Sequence, residues 1–286
     1  MSTPAPPPRA SRAGRNLPVA IAVGLALGAV VLVPLYTYRP VFGLVVAVAI
    51  AYACFELTSV LRDAAGRHVP LVPLVAGTAA TYYAAYNRGS RALAVGIVLS
   101  ALAVLAWRAV AAAADREAPG AHLARDVAAS LWVLVYLVLL GGFAQLMTAP
   151  HDGARRVVTF VVTVVCADVG GYAAGVLVGR HPLAPRISPK KSWEGLAGSA
   201  AACLVAGGLL FGLLFGVPAW KGLVFGLAMT ATAIVGDLAE SLVKRDLGIK
   251  DMGRLLPGHG GIMDRIDSLL ISAPVAYLLL AAFVPV

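Results

Sequence analysis

VVTFVVTVVCADVGGYAAGVLVGR, Val157 to Arg180, is an apolar run that carries one carboxylate, Asp168, near its middle. Crossing the hydrocarbon core of a bilayer takes a helix of roughly 20 apolar residues. An Asp at the centre of such a helix costs about 2.5–3.5 kcal/mol on insertion scales, so it faces a cavity or a partner and not lipid. Gly171, Gly175 and Gly179 follow at intervals of four. A small-residue stripe of that kind lets a second helix approach closely. The stretch predicts a membrane helix with one packed face, and Asp168 directed into the protein.

The rest of the chain agrees. Of 286 residues, 60% are hydrophobic and 13% charged, with mean hydropathy +0.85. A soluble domain carries about 25% charged residues. Apolar stretches bounded by charges or turn residues give nine expected spans, near 17–36, 41–61, 69–86, 92–112, 127–149, 157–179, 195–217, 220–243 and 266–285. The expected fold is all-α: a polytopic membrane bundle of about nine helices with a polar cavity facing the cytoplasm. Residues 1–16, rich in Pro, Ala, Ser and Arg, read as a disordered basic tail. Residues 17–150 supply about five spans, and 151–286 hold the polar motifs. Leu17–Tyr36 is long for a signal peptide and no A-x-A site follows it, so it reads as a span. Cys54, Cys166 and Cys203 lie in apolar runs, far from any metal-ligand spacing, and read as small core residues.

With a cytoplasmic N-terminus, the cytoplasmic segments hold 17 of the 23 Lys and Arg residues and the opposite side 6. That asymmetry follows the positive-inside rule and supports an odd number of spans. Topology and anionic lipid headgroups account for most of the net charge of +9 in the first three cytoplasmic segments, and less well for the last two, where acids are mixed in; no nucleic-acid partner is expected.

Two further carboxylates interrupt apolar runs. Glu56 lies near the end of its span and near Arg62, so ion pairing or snorkelling is its expected role. Asp237, Glu240, Ser241 and Lys244 follow i, i+3, i+4, i+7 and share one helix face. A helix-end ion pair accounts for Glu240 with Lys244. It leaves Asp237, about 10 Å deeper at 1.5 Å per residue, unexplained. Asp264 and Asp267 stand one turn apart at the start of the last span. Each alone suits a helix N-terminus. Together with Asp237 they read as a cation site, and Mg²⁺ prefers one or two carboxylates with water and phosphate oxygens. The glycine-rich turn Pro257–Gly261 lies between, flanked by Lys244, Arg245, Lys250, Arg254 and Arg265. A divalent ion beside several cations is what a polyphosphate substrate requires. The preceding loop adds Arg180, Arg186, Lys190, Lys191 and Ser192; a membrane-surface basic patch is the plain alternative for it.

Ser241–Asp267 resembles the hallmark motif of the phosphatidate cytidylyltransferase (CDP-diacylglycerol synthase) family. Ser241, Lys244, Arg245, Lys250, Asp251, Pro257, His259, Gly260, Gly261, Asp264, Arg265 and Asp267 match it at the right spacing. Gly236-Asp237 and Glu240-Ser241 match the lead-in G-D-x-x-E-S. Ser188-Pro189, Lys191 and Glu194-Gly195 match S-P-x-K-T-x-E-G, with Ser192 for Thr. Asp168, Gly170 and Tyr172 match D-x-G-A-Y, with Gly171 for Ala. These motifs cover residues 155–286.

The resemblance implies a multi-pass enzyme of the cytoplasmic membrane, in phospholipid biosynthesis, that joins CTP and phosphatidate to give CDP-diacylglycerol and pyrophosphate with Mg²⁺. On that reading Asp237 and Asp264 hold the metal, with Asp168, Asp267 and a second cation as further candidates. Lys244, Arg245, Lys250 and Arg265 neutralise phosphates, beside Asp251. Arg186, Ser188, Lys191, Ser192, Glu240, Ser241, Gly260 and Gly261 contact substrate. His259 organises the loop in preference to acting as a base. Three alternatives stay open: transfer to another lipid phosphate, phosphoryl transfer from CTP to a lipid alcohol, and an ion-coupled transporter using the buried carboxylates. The first five spans complete the bundle or form a subunit contact, which leaves a homodimer open.

Overall fold

The computed structural model describes residues 17–114, 120–253, 255 and 260–284. The tail 1–16, Arg116, Arg254, Pro257, Gly258 and His259 lie outside the described residues. The helices are α1 (Leu17–Thr37), α2 (Arg39–Ala65), α3 (Leu71–Arg88), α4 (Ser90–Ala114), α5 (Gly120–Val133), α6 (Leu140–Thr148), α7 (Gly153–Val178), α8 (Trp193–Leu210), α9 (Ala219–Asp246) and α10 (Met263–Phe283). A π-helical segment, Leu134–Leu139, joins α5 to α6 without a break. A second, Phe211–Phe215, extends α8.

These rods occupy the positions of the expected spans, and the chain is a multi-pass membrane bundle. Seven are long and apolar enough to cross a bilayer: α2, α4, α5 through α6, α7, α8, α9 and α10. Of α1, the described apolar part is Gly28–Thr37. α3 falls outside the seven because its 18 residues include two threonines, three tyrosines and an asparagine. Helix ends follow local chemistry. Pro40 in the first turn starts α2, where a missing N–H costs nothing. Gly66, at φ 62, ends it in the left-handed conformation.

The most extensive helix–helix contact is between α7 and α8. A Cβ at Gly198 would stand 2.6 Å from the carbonyl oxygen of Gly170. The expected stripe therefore does face a helix, with Gly171 against Ser199. Ser199 Oγ donates to Ala167 O at 2.6 Å across the same contact. Two large apolar cores both mix residues from the two halves of the chain. One joins Leu35, Phe42 and Met147 to Phe160, Phe225 and Leu280. The other joins Cys54, Leu57 and Leu137 to Met252, Met263 and Leu270.

Several boundaries differ from the expected ones. The basic loop before α8 is an antiparallel hairpin, β1 (Pro182–Ala184) with β2 (Ser188–Ser192), paired Pro182 to Ser192 and Ala184 to Ser188. Pro182, Pro185 and Pro189 disfavour helix there. α9 runs on to Asp246, so Lys244 and Arg245 are helical. α7 begins at Gly153 and takes in Arg156, which is buried. Arg156 pairs with Asp152 at 2.8 Å. It also donates to the carbonyls of Leu280 at 3.2 Å and Val284 at 2.6 Å, closing the C-terminal end of α10. A cation suits that end of a helix.

Removing one partner of a buried ion pair costs about 3–5 kcal/mol, because the other charge is left uncompensated. Arg156→Ala is expected to lose that much, read as a lower midpoint in detergent unfolding of the purified protein.

Candidate active site

The hairpin folds back over the start of α8. Glu194 accepts the N–H groups of Arg180 at 3.1 Å and His181 at 3.2 Å, and meets His181 Nδ1 at 2.6 Å. Ser192 caps α8 by accepting the Gly195 N–H at 3.0 Å. Arg245, on α9, donates through Nε to the carbonyl of Ile187 and ties down the hairpin turn. These contacts place Lys191 directly against Asp237 as an ion pair. α7, α8, α9 and the hairpin enclose a cavity of about 360 Å³, lined by Asp168, Tyr172, Ser188, Lys190, Lys191, Ser192 and Asp237 among others. Asp267 and Arg265 lie within electrostatic range of Asp168, as does Asp237.

A second polar cluster joins α9 to α10. Lys244 Nζ stands 2.6 Å from Glu240 Oε2 and 2.6 Å from Asp264 Oδ1. Asp264 also accepts the N–H of Gly261 at 2.7 Å and of Met252 at 3.2 Å. It thereby ties both ends of the loop to the first turn of α10. Gly260, at φ 81, takes the left-handed conformation that brings the chain into this turn. Glu240 is only 2% exposed. Its Oε1 has no hydrogen-bond partner among the described residues.

Two residues of the first half reach this cluster, and sequence reasoning missed both. Glu56 does not snorkel towards Arg62, which pairs with Asp63 at 3.1 Å. It is 4% exposed, and its Oε2 accepts the Met263 N–H at 2.9 Å. An acid inside an apolar run was the only signal it gave, and its direction depends on how α2 packs. Tyr136 lies on the first π-helical segment, within electrostatic range of Glu240 and Asp267. Nothing in the sequence marked it. Such segments recur at functional sites because they re-aim side chains.

The expected site residues thus divide. Asp168, Ser188, Lys191, Ser192 and Asp237 share the cavity. Glu240, Lys244, Gly260, Gly261 and Asp264 form the second cluster, with Asp267 buried beside it. Ser241 is half-buried on α9; Lys250 and Asp251 are exposed after it. Arg186 stands exposed at the hairpin turn, away from the cavity lining. His259 lies outside the described residues. Asp264 and Asp237 stand in separate polar clusters: Lys244 and two backbone N–H groups hold the Asp264 carboxylate, and Lys191 holds that of Asp237. Among the described residues no three His, Cys, Asp or Glu side chains converge as a metal cluster. Asp168 and Asp237 on one cavity do fit Mg²⁺, which takes one or two carboxylates and completes its shell with water and phosphate oxygens.

Carboxylates and cations gathered among membrane-spanning helices suit a transferase working on a charged group at the bilayer. A profile described as "Cytidylyltransferase family" matches residues 18–283, and the chain belongs to that family. It is an enzyme of the nucleotidyltransferase class. The phosphatidate cytidylyltransferase of Mycobacterium leprae (strain TN) is 43% identical over 278 residues, 94% of this chain and 89% of that one. That of Mycobacterium bovis (strain ATCC BAA-935 / AF2122/97) is 40% identical over 282 residues, 96% and 92%. The likeness therefore includes the first 150 residues, where the motifs did not reach.

Residues sharing one buried network couple by about 0.5–3 kcal/mol. A double-mutant cycle of Glu240→Gln and Lys244→Met is expected to show coupling in that range, measured from detergent-unfolding midpoints.

Proposed function

We propose that the chain transfers the cytidylyl group of CTP to phosphatidate, giving CDP-diacylglycerol and pyrophosphate at the cytoplasmic face of the cell membrane. The observation that carries this reading is the cavity in which Asp168 and Asp237 face Lys191 at the head of α7, α8 and α9. Family membership supports cytidylyl chemistry, and the relatives named above carry the phosphatidate activity in their names. The transporter alternative gives way to that membership.

An oxygen of the phosphatidate phosphate attacks the α-phosphorus of CTP. The bond from that phosphorus to the bridging oxygen breaks, and pyrophosphate leaves with the electron pair. The attacking phosphate is anionic near neutral pH, so no strong general base is needed. Asp168 and Asp237 would hold Mg²⁺, which supplies charge neutralisation to the triphosphate when bound. Lys191 and Lys190 sit on the same cavity and neutralise phosphate oxygens. Arg265, within electrostatic range of Asp168, adds positive charge from α10. Ser188 and Ser192 offer hydroxyl donors. The acyl chains of the lipid stay in the bilayer beside the exposed apolar faces of Val176 and Leu177 on α7.

Purified protein with CTP, phosphatidate and Mg²⁺ is expected to yield CDP-lipid and pyrophosphate; release of CDP instead would mean phosphoryl transfer. Asp237→Asn is expected to lower turnover by about 10²–10³-fold, the scale of removing one preorganised electrostatic contact, while the protein still inserts. Normal turnover in that variant contradicts the assignment of Asp237.

A further inference from the structure

α10 begins without a cap of its own. Ile262 precedes it and offers no side-chain hydrogen bond. The first-turn N–H groups of a helix need acceptors, and burial makes that need acute. Glu56 of α2 supplies one from 207 residues away, through Oε2 to the Met263 N–H at 2.9 Å. A carboxylate is electrostatically favoured at that end of a helix.

The same carboxylate lies against both ends of the loop. A Cβ at Gly261 would stand 2.5 Å from Glu56 Oε2, and one at Gly253 would overlap Oε1. Two glycines thus leave a slot that this one carboxylate fills. Oε1 has no hydrogen-bond partner among the described residues, so burial of the whole group is justified by what it holds in place. One residue later in α10 comes Asp264, which grips Lys244 and the loop. One turn further comes Asp267.

We propose that Glu56 is a positioning residue for the transfer reaction: it clasps Gly253, Gly261 and the first N–H of α10, and so sets Asp264, Arg265 and Asp267 in register with α9. The proposal rests on the cytidylyl-transfer reading and gives the first half of the chain a part in the site. Asp264 anchors the loop from within α10; Glu56 anchors α10 to the other half of the bundle.

The test compares wild type with Glu56→Ala, Glu56→Gln and Glu56→Asp in detergent. It reads kcat and KM for CTP, the thermal midpoint, and amide hydrogen exchange over 260–266. Misplacing a site by about 1 Å costs up to 10²-fold in rate. Glu56→Ala is expected to lower kcat about tenfold or more and to speed exchange in 260–266 while α7 and α8 keep wild-type exchange. Glu56→Gln, which keeps an acceptor, is expected to recover most of both. Glu56→Asp keeps the charge but shortens the reach. It is expected to fold and to lose kcat about tenfold, with KM for CTP within about twofold. Should Glu56→Ala not fold, the Asp and Gln variants decide. Wild-type kcat and exchange in Glu56→Ala or Glu56→Asp, or exchange rising equally along the whole chain, overturns the proposal. A wild type that makes no CDP-lipid overturns the functional reading instead, and the exchange comparison then still decides whether Glu56 clasps the loop.

Discussion

A carboxylate in a membrane helix must find its partner inside the protein. Lipid offers neither hydrogen bonds nor counter-ions, and an unpaired charge there costs several kcal/mol. The ion pairs of Lys244 with Glu240 and Asp264 meet this constraint at the head of the bundle. One ammonium serves two buried carboxylates on different helices, so α9 and α10 are held at one spacing. Breaking that link would strand two charges at once. The positions of Asp237, three residues before Glu240, and of Asp267, one turn after Asp264, follow from the same spacing.

The second requirement is a wall for the cavity. α7 and α8 meet through glycines and serines, close enough that Ser199 bonds across to the backbone of α7. Bulkier residues would push the helices apart and open the cavity to lipid. The hairpin closes the remaining side. Its tie to Glu194 and its tie to Arg245 work on opposite ends, so Lys191 is presented to Asp237 by two independent anchors.

Much of this was legible in the sequence, and the reasons for the rest are physical. Helical periodicity and hydropathy located the rods, and the i, i+3, i+4, i+7 pattern put Asp237, Glu240, Ser241 and Lys244 on one helix. Motif spacing named the family before any coordinates. The sequence could not say which carboxylate pairs with which cation. Asp237 and Asp264 look equivalent in a string of letters, yet Lys191 faces one and Lys244 the other. Glu56 was misread because its nearest cation along the chain, Arg62, was a plausible partner. Direction on a helix is decided by packing, and Arg62 has a closer acid in Asp63. The hairpin was missed because a short basic segment with three prolines carries no periodicity at all.

The division between the two clusters has a consequence for the chemistry. Positive charge and negative charge alternate across the site: Lys191 by Asp237, then Lys244 by Asp264 and Glu240. A site holding only acids would repel a triphosphate, and one holding only bases would keep the pyrophosphate it must release. With Lys191 and Lys244 already paired, a phosphate arriving there on the proposed reading would compete for a cation that has an alternative partner, and a departing one would be replaced by that partner. Binding is weakened by this exchange, but neither state leaves a bare charge in a low-dielectric setting. Turnover benefits when ground states are not held too tightly, since only interactions stronger in the transition state speed the reaction. On the proposed reading, paired carboxylates that look like structural ballast would be part of how the site both admits and expels polyphosphate at the edge of a membrane.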